Sequence, residues 1–185
     1  MDKDTHFSSR KRIRASWHNY AEGTYFITIC VNNQLPSFGT INSGVLTLSK
    51  LGEYAQLAIS ELPLHHQYIH IDNYVIMPNH IHLLLTISSK NEEPNHDRIN
   101  SIESIDSHGD AKRFFSAVSQ SNSLLSIVIQ GFKASLTRFA RQEGIDFKWQ
   151  SRFYDEIIRN NAHYEHVWNY IDQNVQKWFD DEYHI

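Results

Sequence analysis

One cysteine in 185 residues excludes an internal disulfide. Cys30 lies inside the apolar run Tyr25–Val31 and is expected to act as a small buried hydrophobe. Long hydrophobic runs are also missing, and no apolar stretch approaches the ~20 residues that cross a bilayer. The opening Met1-Asp2-Lys3-Asp4-Thr5-His6 lacks the apolar core of a signal peptide. A cytoplasmic protein with no membrane partner is the expectation. No internal repeat is visible, and the length suits one domain over residues 1–185. An excess of positive charge is absent too, since the formal charge is -4. Its distribution is nevertheless uneven.

Arg10, Lys11, Arg12 and Arg14 form a basic cluster in an arm over residues 1–16. Between 112 and 159 stand eight Lys/Arg against four acids, a local excess of four positive charges. Local charge decides whether phosphates are attracted. Lys133, Arg138 and Arg141 fit a phosphate-facing side of a helix, and Arg152 beside Trp149 could pair a charge with a base-stacking ring. Each of these also suits an ordinary solvated helix face.

Tyr25–Val31 is β-branched and aromatic and predicts a central strand. Phe38–Ile41 and Val45–Leu48, joined by Asn42-Ser43-Gly44, predict a hairpin. Ser49 caps a predicted helix running to about Leu62, where Pro63 should end it. Strands follow over Tyr68–Ile76 and His80–Ile87, and their short Met77-Pro78-Asn79 link implies antiparallel neighbours. Residues 88–121 turn polar and read as a long loop or insertion. Leu124–Gln142 predicts an amphipathic helix with Ile127, Val128, Phe132, Leu136, Phe139 and Ala140 on one side. Gly131 within it hints at a close backbone approach. A short strand within Trp149–Ile158 and a helix over about Ala162–Trp178 complete the chain. The order does not alternate as a doubly wound sheet would. It predicts an α+β fold, an antiparallel sheet with helices packed on one face.

His80 and His82 stand at i and i+2 of a strand, so both imidazoles face one way and Ile81, Leu83 and Leu85 the other. Alone, such a pair is an ordinary polar-face feature. On the last helix Tyr164, Val167, Trp168, Ile171, Val175 and Trp178 make a core stripe. Tyr170 and Asn174, i and i+4, fall at about 240° and 280° from Tyr164, on the flank where His163 also projects. Two imidazoles and an amide oxygen give three ligands for a divalent ion that would polarise a phosphodiester. A tyrosine one turn from a ligand could attack its phosphorus.

Tyr74-Val75-Ile76-Met77-Pro78-Asn79-His80-Ile81-His82, then Trp149-Gln150-Ser151-Arg152-Phe153-Tyr154-Asp155 with Ile157-Ile158-Arg159-Asn160, then Tyr170-Ile171 and Asn174, closely resemble the HUH single-tyrosine transposases. Within them the chain looks most like the REP-associated tyrosine transposase branch of the insertion-sequence-200-like group. The likeness spans nearly everything except residues 88–121. It implies a ferredoxin-like (palm or RRM-like) sheet and a monomer or homodimer. It also implies cleavage and rejoining of single-stranded, often hairpin, DNA through a 5′-phosphotyrosine with Mg²⁺ or Mn²⁺. By this likeness His80 and His82 match the HUH ligands, Tyr170 the nucleophile and Asn174 the third ligand. Relatives commonly carry His where Glu156 stands and Pro where Val175 stands. Those departures keep open a domesticated, non-catalytic DNA- or RNA-binding protein on the same fold. A cupin-type hydrolase would want Glu four or five residues past His82, where Thr86 and Ile87 stand.

Overall fold

The computed structural model describes residues 23–88, 124–180 and Tyr183. The basic arm and the polar stretch beyond Ser88 lie outside the described residues. In chain order come β1 (Gly23–Cys30), β2 (Gly39–Asn42), β3 (Val45–Leu48), α1 (Lys50–His65), β4 (Ile69–Ile76) and β5 (His80–Ile87). Then follow α2 (Leu124–Gln142), β6 (Tyr154–Ile157), α3 (Asn161–Gln173) and a final 3₁₀ turn, Trp178–Asp180.

β4, β5, β1 and β6 lie side by side in that order, every pair antiparallel. Counted within this sheet alone, the order is second, third, first, fourth, the ferredoxin-like arrangement built from two β-α-β crossovers. β2 and β3 form a separate two-stranded hairpin inserted before α1.

β5 is buried along nearly its whole length, and its alternation divides the molecule. Ile81, Leu83, Leu85 and Ile87 join Tyr25, Ile27 and Ile29 in a core covered by α1 and α2. On the other face Leu84 and Val75 meet Val167 and Ile171 of α3, with Trp178 and Ile41 at the margins. The expected antiparallel sheet with packed helices is present, and its helices divide two and one between the faces. The histidine face is the one that α3 covers.

Ser49 caps α1 as predicted, its Oγ accepting from the amide of Gly52 at 3.1 Å. A Cβ at position 52 would overlap the Phe38 carbonyl oxygen, so this first turn sits against the backbone before the hairpin. α1 then runs through Pro63 to His65 instead of stopping there. A proline in the last turn removes only one intrahelical bond, and the amide of His66 still reaches the Leu62 carbonyl at 3.0 Å. α1 and α2 are joined where Tyr54 stacks on Phe139 at 4.0 Å between ring centroids and bonds Ser135 through its hydroxyl.

α2 has the predicted bounds, but its buried face differs in part. Ile127 is exposed, and Leu124, Leu125 and Ile129 take its place in the core. Gly131 faces open space, so no close approach explains it.

β4 carries a bulge. Ile71 pairs with Leu85, but Asn73 pairs with the next residue, Leu84, so Asp72 is the extra residue. A bulge reverses the facing of everything after it. Ile69 therefore points toward α1, whereas Val75 packs beneath α3. The Asn73 amide donates to Asp172 of α3 at 2.9 Å. Asp72 accepts a hydrogen bond from the Tyr164 hydroxyl, and burial together with this carboxylate pushes that phenol's pKa up. α3 is thus gripped at the bulge.

Candidate active site

The turn that launches β5 is held on three sides by backbone bonds. Phe38 donates to the Pro78 carbonyl at 2.9 Å, Val31 to Asn79 at 2.8 Å, and Met77 to His80 at 2.9 Å. This scaffold fixes where the first residues of β5 point. His80 and His82 are almost wholly buried, at 0% and 1% exposure, and their Nε2 atoms are 3.0 Å apart.

The other ring nitrogen of each histidine is also engaged. His82 Nδ1 lies 2.9 Å from the hydroxyl of Thr28, its register partner on β1. His80 Nδ1 lies 2.8 Å from Asn79 Oδ1. Such outer partners orient metal-binding imidazoles and set their tautomer. Burial and the neighbouring His82 hold His80 well below the ordinary imidazole pKa. Burial alone brings His82 down to about 3. Both rings are neutral at neutral pH, the form that ligates metal.

The rest of the site comes from the end of the chain. Tyr170 on α3 reaches across the sheet, and its hydroxyl lies 3.4 Å from His82 Nε2. Its ring meets Phe26 edge-on at 5.9 Å, and Phe26 stacks on His82 at 5.0 Å. Tyr170 is 37% exposed. Further along, Trp178 brings its ring to 6.2 Å from His80. Asn174 lies midway between Tyr170 and Trp178, four residues from each.

The helical reading over 162–178 needs correction here. α3 ends at Gln173, and residues 174–177 continue as turns. Asn174 is not a flank residue but a buried one, 2% exposed, and its Oδ1 has no hydrogen-bond partner. Trp168, assigned to the core stripe, is 36% exposed. Val175 stays partly buried against the α3 core.

Among the described residues no three His, Cys, Asp or Glu side chains cluster as a metal site. An ion at the histidine pair would need a third protein ligand of another type. An amide oxygen buried without a partner is costly, and Asn174 presents one in the turn between Tyr170 and Trp178. Two neutral imidazoles and a buried amide oxygen without a partner are donors of the kind that suit a divalent ion.

The expected nucleic-acid residues fare differently. Arg10, Lys11, Arg12 and Arg14 lie outside the described residues. Arg138, Arg141 and Arg152 are exposed. Lys133 is occupied, donating to the carbonyls of Gln150 at 2.8 Å and Arg152 at 3.1 Å. Trp149 is a core residue, with Phe38, Phe132 and Phe147 around its ring and its Nε1 donating to the Lys133 carbonyl. With Lys133 over the ring as well, at 5.5 Å, no open face remains for a base. The base-stacking expectation for Trp149 is corrected accordingly. Glu156 faces α3, its Oε1 3.5 Å from His163 Nε2.

Sequence reasoning missed four contributors: Phe26, Thr28, Asn79 and Tyr183. The Tyr183 ring lies 4.6 Å from that of His80, and its carbonyl accepts from the Asn79 amide at 2.8 Å. Thr28 and Phe26 become visible only once the β1–β5 register is known, and no local signal marks Tyr183.

The fold and site together define a ferredoxin-like domain with a histidine pair facing a helix-borne tyrosine. A similar solved structure is the REP-associated tyrosine transposase bound to a REP hairpin, with a TM-score of 0.50 and 20% identity. That match covers 90% of this chain and 73% of the other. At this identity the likeness is one of fold. The chain belongs to the same family as an uncharacterized protein of Haemophilus influenzae, 31% identical over 182 residues, spanning 95% of this chain and 93% of the relative. No family model matches. Among the described residues no helix is long and apolar enough to cross a membrane.

Proposed function

We propose that this protein is a transposase-type DNA strand transferase that cleaves and rejoins single-stranded DNA folded as a hairpin. The observation that carries the reading is the Tyr170 hydroxyl, 3.4 Å from His82 Nε2 in a site that also holds His80. The hairpin bound by the solved REP-associated transposase supports DNA of this kind as the substrate.

Tyr170 Oη attacks the scissile phosphorus from the open side of α3. The Oη–P bond forms, the P–O3′ bond breaks, and the phenolic proton passes to solvent while the departing oxygen takes one up. A 5′-phosphotyrosine and a free 3′-hydroxyl result, so the bond energy is kept for rejoining by an incoming 3′-hydroxyl. A phenol with a pKa of about 10 is a weak nucleophile at neutral pH. Phe26 holds its ring edge-on and limits the directions it can take. His80, His82 and Asn174 would hold Mg²⁺ or Mn²⁺, and two imidazoles with an amide oxygen suit Mn²⁺ better. The bound ion would supply Lewis-acid polarisation of the phosphate and charge neutralisation in the transition state. α3 packs on the sheet of its own chain, and on this reading the ligands and the nucleophile come from one chain.

The test uses purified protein, Mn²⁺ and single-stranded hairpins taken from the DNA flanking the coding region. A covalent protein–DNA adduct on a denaturing gel is expected, with none from Tyr170→Phe. Nicking by Tyr170→Phe at the wild-type rate would overturn the assignment. Binding of matched hairpins with no adduct under any metal would point to a binding module instead.

A further inference from the structure

Asn79 is 2% exposed, and all of its side-chain polar atoms are used. Its Nδ2 donates to two backbone carbonyls, Gln34 at 3.2 Å and Tyr183 at 2.8 Å. Carbonyl oxygens only accept, so the amide can sit only with its nitrogen toward them and its oxygen toward His80. Oδ1 also only accepts, and His80 Nδ1 lies 2.8 Å from it. The proton in that bond must therefore be on His80 Nδ1, which leaves Nε2 as a lone pair directed at His82 Nε2. A flipped amide would turn three acceptors against one another and aim an N–H at His80 Nδ1, demanding the opposite tautomer.

We propose that the backbone carbonyl of Tyr183, acting through Asn79, fixes the Nδ1–H tautomer of His80 and keeps its Nε2 free to ligate. This makes Tyr183 and Asn79 positioning residues, and a stretch 104 residues from Asn79 becomes part of how the site is prepared. The shorter of the two Asn79 amide bonds is the one to Tyr183. The Gln34 carbonyl lies in the short turn after β1. The Tyr183 carbonyl comes from a residue 104 positions further along the chain. The inference deepens the metal-ligand reading above, but the tautomer itself can be read without metal or DNA.

The experiment is long-range ¹⁵N–¹H correlation NMR of the histidine rings in the metal-free full chain at pH 7.5. The expected result is a single His80 pattern with Nδ1 protonated. Removal of residues 183–185 is expected to give a mixture of tautomers. Tyr183→Ala in the full chain keeps the carbonyl without the ring and is expected to restore the single pattern. Asn79→Ala, with Tyr183 intact, is expected to give the mixture again and serves if the truncated chain does not fold. Mn²⁺ titration of the same proteins should show about tenfold weaker binding wherever the tautomer is mixed. An Nε2–H pattern in the full chain, or an unchanged pattern after removal of 183–185, would overturn the proposal. Loss of the pattern in Tyr183→Ala would move the role to the ring and also overturn it. A failed DNA-cleavage assay would leave these spectra as they are, so the two readings fail separately.

Discussion

His80 and His82 direct their Nε2 atoms at each other across 3.0 Å, inside a part of the sheet from which water is excluded. With the His80 proton on Nδ1, the two facing nitrogens can share at most one proton between them. A cation bound there would take the place of that proton. Mn²⁺ is therefore expected to raise the thermal midpoint, by an amount equivalent to about 2.7 kcal/mol at a hundredfold excess over Kd. Scanning calorimetry with and without chelator measures this. The His80→Gln, His82→Gln double variant should show no metal-dependent shift, and a wild-type midpoint indifferent to Mn²⁺ would contradict the site.

Asn174 separates stability from function. Its buried oxygen lacks a partner, and such a group costs roughly 1–3 kcal/mol. Asn174→Leu keeps the shape and removes the polar atom. The metal-free variant is expected to be about 1 kcal/mol more stable than wild type in urea unfolding, and to lose most of the Mn²⁺-induced gain. A variant destabilised in the absence of metal would show that the amide is satisfied in solution.

Acid should weaken the metal-free protein in a defined window. His80 and His82 have folded-state pKa values below the ordinary 6.5, that of His82 at about 3. Above pH 6.5 both states leave these rings neutral, and the stability is fully present. As pH falls below 6.5 the unfolded chain takes up protons that the folded chain refuses, so stability declines toward pH 3. The slope is roughly 1 kcal/mol per pH unit for each histidine. Urea midpoints between about pH 8 and 4 should fall in wild type and flatten in the His80→Gln, His82→Gln variant.

Trp149 and the α2 arginines should fail in different assays. Trp149→Ala removes a core ring and is expected to cost about 3–5 kcal/mol of folding stability. Arg138→Ala with Arg141→Ala, both at exposed positions, should leave the thermal midpoint nearly unchanged. If these arginines hold phosphates, DNA binding weakens and the salt dependence of log K flattens by about one for each phosphate released. An affinity insensitive to salt in wild type would remove these cations from the binding surface.

Much of this molecule is legible without coordinates where the signal is local. Ser49 caps α1 because its hydroxyl needs only the amide three residues on, and Leu124–Gln142 has its predicted bounds because its apolar spacing runs unbroken. The His80–His82 pair is legible because strand alternation is a property of the backbone. Asn174 escapes a helical wheel because the wheel assumes constant pitch, whereas the helix ends at Gln173. Pro63 looks like a stop in sequence, but one missing amide costs too little to end a helix so well seated. The partners Thr28, Asn79 and Tyr183 join segments far apart in sequence. Nothing local encodes them until the strand register and the docking of α3 are known.

The extra residue at Asp72 can be removed without turning the rest of the strand over. Deleting one residue there would straighten β4 and restore simple alternation. Ile71 would stay opposite Leu85 and Asn73 opposite Leu84, so Asn73 and Val75 would keep facing α3, and the Asp172 anchor and apolar seat of the helix carrying Tyr170 would remain. The histidines, on the neighbouring strand, would keep their own register with β1. A single-codon deletion at Asp72 would thus leave both the ligands and the nucleophile's helix seated, and remove only the carboxylate that holds Tyr164.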